Sequence, residues 1–285
     1  MNAPLSTASA ALRTVSNAGE PAHFYHANGF PLAVYEPFLA ALGGQVALSA
    51  LEHRASRPGA GSPPANLTWN DYADDLIAAL DAAGQDPVIG IGHSMGATCT
   101  VLAALKRPDL FSRLVLIEPA TVSPPVRLLL RALPGRMTRA VGLIRDTLAK
   151  PDRWPDRAGF LADCRKHRMY RRFDEGALAV LAAHGVRECE EGGVTLAFPK
   201  AWEAHNYLNV PAIMRRLGRL SQPSVAIRGK PSTIFPDGLW REWQSRAPDA
   251  VFREDLRYGH LLPLEDAQSC CALIADGLSR LPPAD

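Results

Sequence analysis

The sequence predicts an α/β protein with a mostly parallel central sheet flanked by helices and a helical insertion. Three observations support this fold class. Short apolar runs recur along the chain, helical patterns lie between them, and one long stretch, from Ala120 to about Leu217, carries no convincing strand. Apolar runs that are continuous rather than alternating are typical of strands covered on both faces of a parallel sheet.

Six apolar runs are the predicted strands. Four precede the long stretch without strands, and two follow it. In order they read "AHFYHA", "QVALSAL", "PVIGIGH", "RLVLIEP", "PSVAIRG" and "AVFREDL".

The clearest helical pattern lies between the second and third runs. Thr68 and Asp71 have the spacing of a capping box, and Gly84 follows as a stop signal. The apolar residues that share one face of this helix are Tyr72, Leu76, Ile77 and Leu80. A strand, a helix and a further strand in this order predict a βαβ unit.

Strand and helix patterns together divide the chain into four segments. Arginine-rich stretches such as "RLLLRALPGRMTRA" raise the possibility of phosphate or lipid binding, but solvated faces of amphipathic helices are the favoured interpretation. The predicted segments are a ragged N-terminal segment (1–20), a first part of the core (21–120), a helical cap (121–217) and a second part of the core (218–285).

Composition excludes several classes of protein. A formal net charge of +2 in 285 residues gives no global signal for nucleic acid or an anionic membrane as the main partner. Five scattered cysteines without a C-x-x-C spacing favour a reducing compartment, so cytoplasm is expected. Neither a secretory signal nor an apolar run of transmembrane length is apparent, and the sequence does not set the oligomeric state.

The motif "GHSMG" makes Ser94 the predicted nucleophile. A serine hydroxyl needs a base to take its proton and a geometry that exposes it. The motif follows the run "PVIGI" and precedes "ATCTVLAAL", which is the strand, turn and helix context of a nucleophile elbow. A turn serine flanked by glycines for steric reasons is the alternative, and the nucleophile is favoured.

The base is expected late in the chain, in the order serine, acid, histidine. "DLRYGHLLPLED" supplies His260 in a loop after the last predicted strand, and His260 is the predicted base. His93 is adjacent to Ser94 in sequence, but adjacent side chains point in different directions. It is therefore expected to be a structural residue of the turn or to face the substrate rather than act as the base.

From about His23 to the C-terminus the chain resembles the α/β-hydrolase fold superfamily. The matching stretches are "HANGFP", "GHSMG", "LVLIEPA" and "GHLLPLED". The resemblance implies an α/β-hydrolase fold with a cap, with "HANGFP" as the oxyanion loop. The backbone N–H groups of Phe30 and Met95 are then expected to bind the oxyanion. An ordinary Asn-Gly turn is the alternative for this loop.

The acid of the triad is less directly indicated. In most of the superfamily it follows the strand after the cap, but here that region reads "IRGKPSTIFPDG", with Ser232 where an aspartate is expected. Two candidates remain. Glu118 ends a predicted strand, the position that haloalkane dehalogenases use, and Asp237 follows Ser232. Glu118 is favoured as the acid because the end of a strand is rigid. If Glu118 is not catalytic, its expected role is to order the junction with the cap. If Asp237 is not catalytic, it is expected to be a helix N-cap.

These residues predict a serine hydrolase that acts on an ester or related acyl bond of a small-molecule substrate, without metal or organic cofactor. Thioesterase, carbon–carbon bond hydrolase, perhydrolase and acyltransferase activities use the same triad and stay open. A ligand-binding protein that has lost turnover is the alternative from another class. Candidate pocket residues are Asn28, His93, Trp154, Tyr170, Trp202 and Tyr207. For each of the four aromatic residues of the cap, packing in the core of the cap is the favoured interpretation.

Overall fold

The computed structural model describes residues 12–282 except 85, 134 and 139. Residues 1–11, which form most of the predicted ragged segment, lie outside this range. Strands in the described residues are β1 (Leu12–Thr14), β2 (Pro21–Tyr25), β3 (Ala47–Leu51), β4 (Val88–His93), β5 (Phe111–Ile117), β6 (Arg153–Trp154), β7 (Val186–Glu188), β8 (Val194–Leu196), β9 (Ser224–Gly229) and β10 (Val251–Asp255).

Seven of these strands form the central sheet, in the order β1-β3-β2-β4-β5-β9-β10. All neighbours in it are parallel except β1, which runs antiparallel to β3. The six predicted strands are confirmed as β2, β3, β4, β5, β9 and β10, and so is the α/β fold class. Because β4 lies between β2 and β5, the loops that follow these three strands meet at one edge of the sheet.

Helices cover both faces of the sheet. Alternate residues of β5 belong to different core clusters: Val115 and Ile117 to one face, Leu114 and Leu116 to the other. The helices are α1 (Glu36–Gly43), α2 (Trp69–Ala83), α3 (Met95–Lys106), α4 (Pro124–Ala132), α5 (Gly135–Thr138), α6 (Gly142–Ala149), α7 (Arg157–Cys164), α8 (Glu175–His184), α9 (Lys200–Leu208), α10 (Met214–Leu217), α11 (Asp237–Arg246), α12 (Leu262–Glu265) and α13 (Ala267–Leu278).

The predicted signals around α2 are confirmed. The Thr68 backbone N–H and hydroxyl both donate to the Asp71 carboxylate at 2.7 Å. At the other end Gly84 adopts φ +58°, the left-handed conformation that ends helices at low cost for glycine.

Two expectations from the sequence are wrong. Residues 12–14 of the predicted ragged segment form β1, which pairs with the edge of the sheet. The stretch from Ala120 to Leu217, predicted to carry no strand, contains β6, β8 and β7, which form a small antiparallel sheet. Strands of two or three residues are too short to give a period-two pattern, so sequence patterning does not detect them.

No helix in the described part of the chain is long and apolar enough to cross a membrane.

Candidate active site

Ser94 joins β4 to α3 in a strained backbone conformation. Its φ is 53° and its ψ is −115°, a backbone conformation that residues other than glycine seldom adopt. A Cβ at Gly92 would lie 2.4 Å from Cα of Ala97, and a Cβ at Gly96 would lie 2.0 Å from the carbonyl oxygen of Tyr25. Both glycines therefore allow strand and helix to approach as closely as the turn requires.

His260 contacts Ser94 and Glu118 with its two ring nitrogens. Nε2 lies 3.0 Å from Ser94 Oγ, and Nδ1 lies 2.6 Å from Glu118 Oε2. A carboxylate oxygen is an acceptor, so this contact assigns the hydrogen to Nδ1 and leaves Nε2 to accept from the Ser94 hydroxyl. The three side chains come from the ends of β4 and β5 and from the loop after β10.

Glu118 is fully buried where β5 ends, with a positive φ of 42°. Burial of a carboxylate is costly unless hydrogen bonds compensate it. Here the Gly229 backbone N–H donates to Oε1 at 2.9 Å, and the Ser232 hydroxyl donates to Oε2 at 2.7 Å. The serine that occupies the expected aspartate position thus binds the same carboxylate oxygen as His260.

Asp237, the alternative acid, contacts other groups. It is the first residue of α11, its side chain is half exposed, and Arg228 Nη1 lies 2.8 Å from its carboxylate. The Arg228 guanidinium holds the pKa of the Asp237 carboxyl below its usual range. The N-cap position before α11 belongs to Pro236. In the described residues, Asp237 makes no hydrogen bond to His260, and its ion pair joins a half-exposed carboxylate to the buried Arg228.

His93 is a structural link rather than a pocket residue. It is fully buried; its Nε2–H donates to the His260 carbonyl at 2.8 Å, and its Nδ1 accepts the Tyr35 hydroxyl at 2.8 Å. Burial, and then the proximity of His260, lower the pKa of His93 well below its ordinary value. A neutral His93 is what this hydrogen-bond pattern needs, and it fixes the backbone of the loop that carries His260.

Glu265 holds the same loop from the other side. Its carboxylate accepts the Gly259 backbone N–H at 2.6 Å, and burial raises its pKa above the ordinary value. Sequence reasoning did not identify Glu265 or Tyr35. Tyr35 lies 58 positions from His93, and no local motif marks either contact.

The loop after β2 lies beside the start of α3. Gly29 in this loop adopts φ +85°, and Phe30 stacks edge-on against Tyr170 with 6.5 Å between ring centroids. Met95 is the first residue of α3, where N–H groups have no partner within the helix. Neither the Phe30 nor the Met95 backbone N–H donates to another residue in the part of the chain that the structure describes.

The other candidate pocket residues make packing contacts. Trp202 is 3% exposed and donates its indole N–H to the Gly61 carbonyl at 2.8 Å. Trp154 packs edge-on against Phe160, with ring centroids 4.9 Å apart. These contacts fit the packing interpretation that the sequence favoured. Asn28 is buried and binds α9 through both atoms of its amide, at 3.1 Å to Glu203 and 2.8 Å to Asn206.

Across residues 12–282, with the three undescribed positions left aside, no group of three or more His, Cys, Asp or Glu side chains is arranged to hold a metal ion.

Comparison with known proteins identifies the fold and family. A family model described as "Alpha/beta hydrolase family" matches residues 22–273. The putative carbamate hydrolase RutD of Klebsiella pneumoniae (strain 342) is 28% identical over 249 residues, which are 86% of this chain and 85% of that protein. The abhydrolase domain-containing protein AKT2 of Alternaria alternata is 25% identical over 234 residues, 69% of this chain and 84% of its own.

Solved structures show the same fold at lower identity. E-2-(acetamidomethylene)succinate hydrolase has a TM-score of 0.76 at 20% identity, with 94% of each chain covered. A thermophilic esterase from Thermogutta terrifontis has a TM-score of 0.68 at 18% identity, with 95% of this chain and 93% of that chain covered.

Proposed function

The chain belongs to the alpha/beta hydrolase family, and from that premise we propose that it is a serine hydrolase that cleaves an ester or related acyl bond. The observation that carries this proposal is the continuous contact from Ser94 Oγ through the His260 ring to Glu118, with distances of 3.0 and 2.6 Å. Nucleophile, base and acid in such contact are the arrangement that activates a serine hydroxyl at neutral pH.

In the first half of the reaction, Ser94 Oγ attacks the acyl carbon while His260 Nε2 takes the hydroxyl proton. The carbonyl oxygen becomes an oxyanion, which the backbone N–H groups of Phe30 and Met95 bind. Glu118 stabilises the imidazolium through Nδ1–H without taking its proton. The tetrahedral intermediate then expels the leaving group, which receives the proton from Nε2, and an acyl-Ser94 ester is left.

In the second half, water replaces the leaving group. His260 Nε2 takes a proton from the water as its oxygen attacks the acyl carbon, and a second oxyanion forms in the same hole. Collapse of this intermediate breaks the bond to Ser94 Oγ, which regains the proton from Nε2. The products are the free acid and the starting enzyme, so no cofactor is consumed.

Buried hydrogen bonds to Glu118 support its role as the acid. Gly229 and Ser232 donate to the carboxylate alongside His260, so hydrogen bonds compensate its burial and hold both of its oxygens in place. By accepting the Nδ1–H of His260, Glu118 fixes the tautomer that leaves Nε2 free to act as a base.

The first test is labelling with a fluorophosphonate probe, with the modified residue located by mass spectrometry. We expect modification at Ser94 in the wild type, and none in Ser94→Ala or His260→Ala. Ser245→Ala is the matched control, because Ser245 is an exposed serine whose hydroxyl donates to the Glu242 carbonyl. A folded wild type that takes no label but binds ester analogues would instead support a ligand-binding protein.

Substrate class is tested next, on unlabelled enzyme whose active sites have been counted by fluorophosphonate titration of a separate sample. p-Nitrophenyl esters of increasing chain length and the corresponding thioesters are compared with aryl carbamates, which are included because a relative is named a putative carbamate hydrolase. A burst of p-nitrophenol equal to the enzyme concentration is the expected sign of an acyl-enzyme.

A further inference from the structure

The cap segment forms hydrogen bonds to the proposed oxyanion loop at the buried side chain of Asn28. Asn28 Nδ2 donates to the Glu203 backbone carbonyl at 3.1 Å, and Asn28 Oδ1 accepts from Asn206 Nδ2 at 2.8 Å. Asn206 is itself held, because its Oδ1 accepts the Tyr72 hydroxyl at 3.0 Å and its carbonyl accepts the Trp69 indole N–H at 3.0 Å. Helix α9 is therefore fixed between the core and the loop.

The side chain of Glu203 lies against the same loop. A Cβ built on Gly29 would be 3.1 Å from Glu203 Cδ and 3.2 Å from its Oε1. The carboxylate thus occupies the space that glycine leaves open, one residue before the Phe30 N–H. Glu203 is buried, and Lys150 Nζ forms an ion pair with its Oε2.

This arrangement has an electrostatic consequence. An oxyanion hole works because its donors meet the developing negative charge in a site of low dielectric constant. Without a counter-ion, the Glu203 carboxylate beside Gly29 would repel the oxyanion, and in a partly buried site this repulsion is screened only weakly. The Lys150 ammonium neutralises the Glu203 carboxylate. The loop can therefore keep its hydrogen bonds to α9 without a negative charge that repels the oxyanion.

We propose that Asn28, through which α9 clamps the oxyanion loop, is a positioning residue of this loop, and that Lys150 cancels the charge of the Glu203 carboxylate beside it. The inference rests on the proposed function, because it concerns the hole in which the Phe30 N–H acts. It makes the catalytic rate depend on Asn28 and Lys150, which touch neither the nucleophile nor its base.

The test compares Lys150→Met, Glu203→Gln and the double variant Lys150→Met/Glu203→Gln. Active sites are first counted by fluorophosphonate titration, and kcat and KM for p-nitrophenyl butyrate are then expressed per titrated site. Lys166→Met is the matched control, since Lys166 forms an exposed ion pair with Asp163 in the same segment. Tm is recorded for every variant.

Lys150→Met is expected to lower kcat by about 30-fold with KM within about 3-fold, a smaller loss than removal of an oxyanion donor. Glu203→Gln and the double variant lack the carboxylate charge, so both are expected to stay within about 5-fold of the wild-type kcat. The rate of fluorophosphonate labelling is expected to rank the variants in the same order, because phosphonylation also develops an oxyanion.

A double variant no faster than Lys150→Met, or a Lys150→Met enzyme with wild-type kcat, would overturn the proposal. If Lys150→Met does not fold, Glu203→Gln still decides, because a loss above about 10-fold in kcat would contradict a role for charge neutralisation. Lower Tm values with unchanged kcat per site would mean that the pair acts on stability alone. Absence of labelling in the folded wild type would instead refute the proposed serine hydrolase.

Discussion

The two candidates for the acid lie in different environments, Glu118 at the end of β5 and Asp237 at the start of α11, after the loop that follows β9. At the end of β5, Glu118 is fully buried and its carboxylate accepts hydrogen bonds from His260, Gly229 and Ser232. In the loop region, the side chain of Asp237 is half exposed and paired with Arg228. The difference shows that a carboxylate at the end of a central strand is held beside His260, while the loop supplies Ser232 as a further donor to it.

Ser232 connects the two regions. Its hydroxyl donates to the Glu118 oxygen that also binds His260 Nδ1, and it accepts from the backbone N–H groups of Ile234 and Phe235 at 3.2 and 3.1 Å. The loop therefore keeps a polar group at the expected acid position although the charge lies on β5.

The largest effect is expected for Glu118→Gln. The amide keeps the size of the side chain but removes the charge that fixes the His260 tautomer, so kcat is expected to fall by about 10³–10⁴-fold while KM changes little. Steady-state kinetics on a p-nitrophenyl ester measures this. A decrease in kcat of less than about 10-fold would show that another residue is the acid.

Moving the carboxylate to the loop is expected to restore part of that loss. Ser232 Oγ is 2.7 Å from the oxygen that binds His260, so an aspartate at position 232 brings a charge close to Nδ1. Glu118→Ala/Ser232→Asp is expected to turn over at least about 10-fold faster than Glu118→Ala. The isosteric control Glu118→Ala/Ser232→Asn carries no charge and is expected to show no gain; equal rates for the two double variants would contradict the comparison.

Ser232→Ala is expected to have a moderate effect. Loss of one donor to a buried carboxylate lowers the free energy of unfolding by about 1.5–3 kcal/mol. We expect kcat to fall by about 3- to 10-fold, because His260 and Gly229 still hold the carboxylate. Urea unfolding and steady-state kinetics measure the two effects, and a loss as large as that of Glu118→Gln would mean that Ser232 is more than a supporting donor.

The smallest effect is expected for Asp237→Asn. Arg228 is buried and also pairs with Glu254, so it keeps a carboxylate partner when the half-exposed Asp237 is neutralised, and kcat is expected to stay within about 2-fold of the wild type. Side-by-side kinetics with Glu118→Gln is the measurement. A large loss of kcat in Asp237→Asn with little loss in Glu118→Gln would identify Asp237 as the acid instead of Glu118.

Much of the core was predictable because its residues leave local patterns. Strands buried on both faces read as continuous apolar runs, and the glycines around Ser94 mark a turn that only they permit. The sequence predicted that a strand ends at Glu118, but the preference for Glu118 over Asp237 as the acid depended only on the rigidity of a strand end. The three-dimensional contact with His260, 142 positions away, is not encoded in any local period.

The cap segment was less predictable. Its strands are two or three residues long, which is too short for a period-two pattern to be recognised in the sequence. Asn28 was predicted to belong to the oxyanion loop and to be a candidate pocket residue, whereas its buried partners on α9 lie 175 and 178 positions away. Long-range polar contacts of this kind depend on how the cap packs on the core, which periodicity does not describe.

The central claim, that Glu118 is the acid that orients His260, is tested most directly by NMR of the His260 Nδ1 proton in ¹⁵N-histidine-labelled protein. A short hydrogen bond to a carboxylate moves this resonance far downfield, and His260→Ala assigns it. We predict that the resonance is present in the wild type and in Asp237→Asn, and that it is lost or moves strongly upfield in Glu118→Gln. A resonance that persists in Glu118→Gln and disappears in Asp237→Asn would contradict the account.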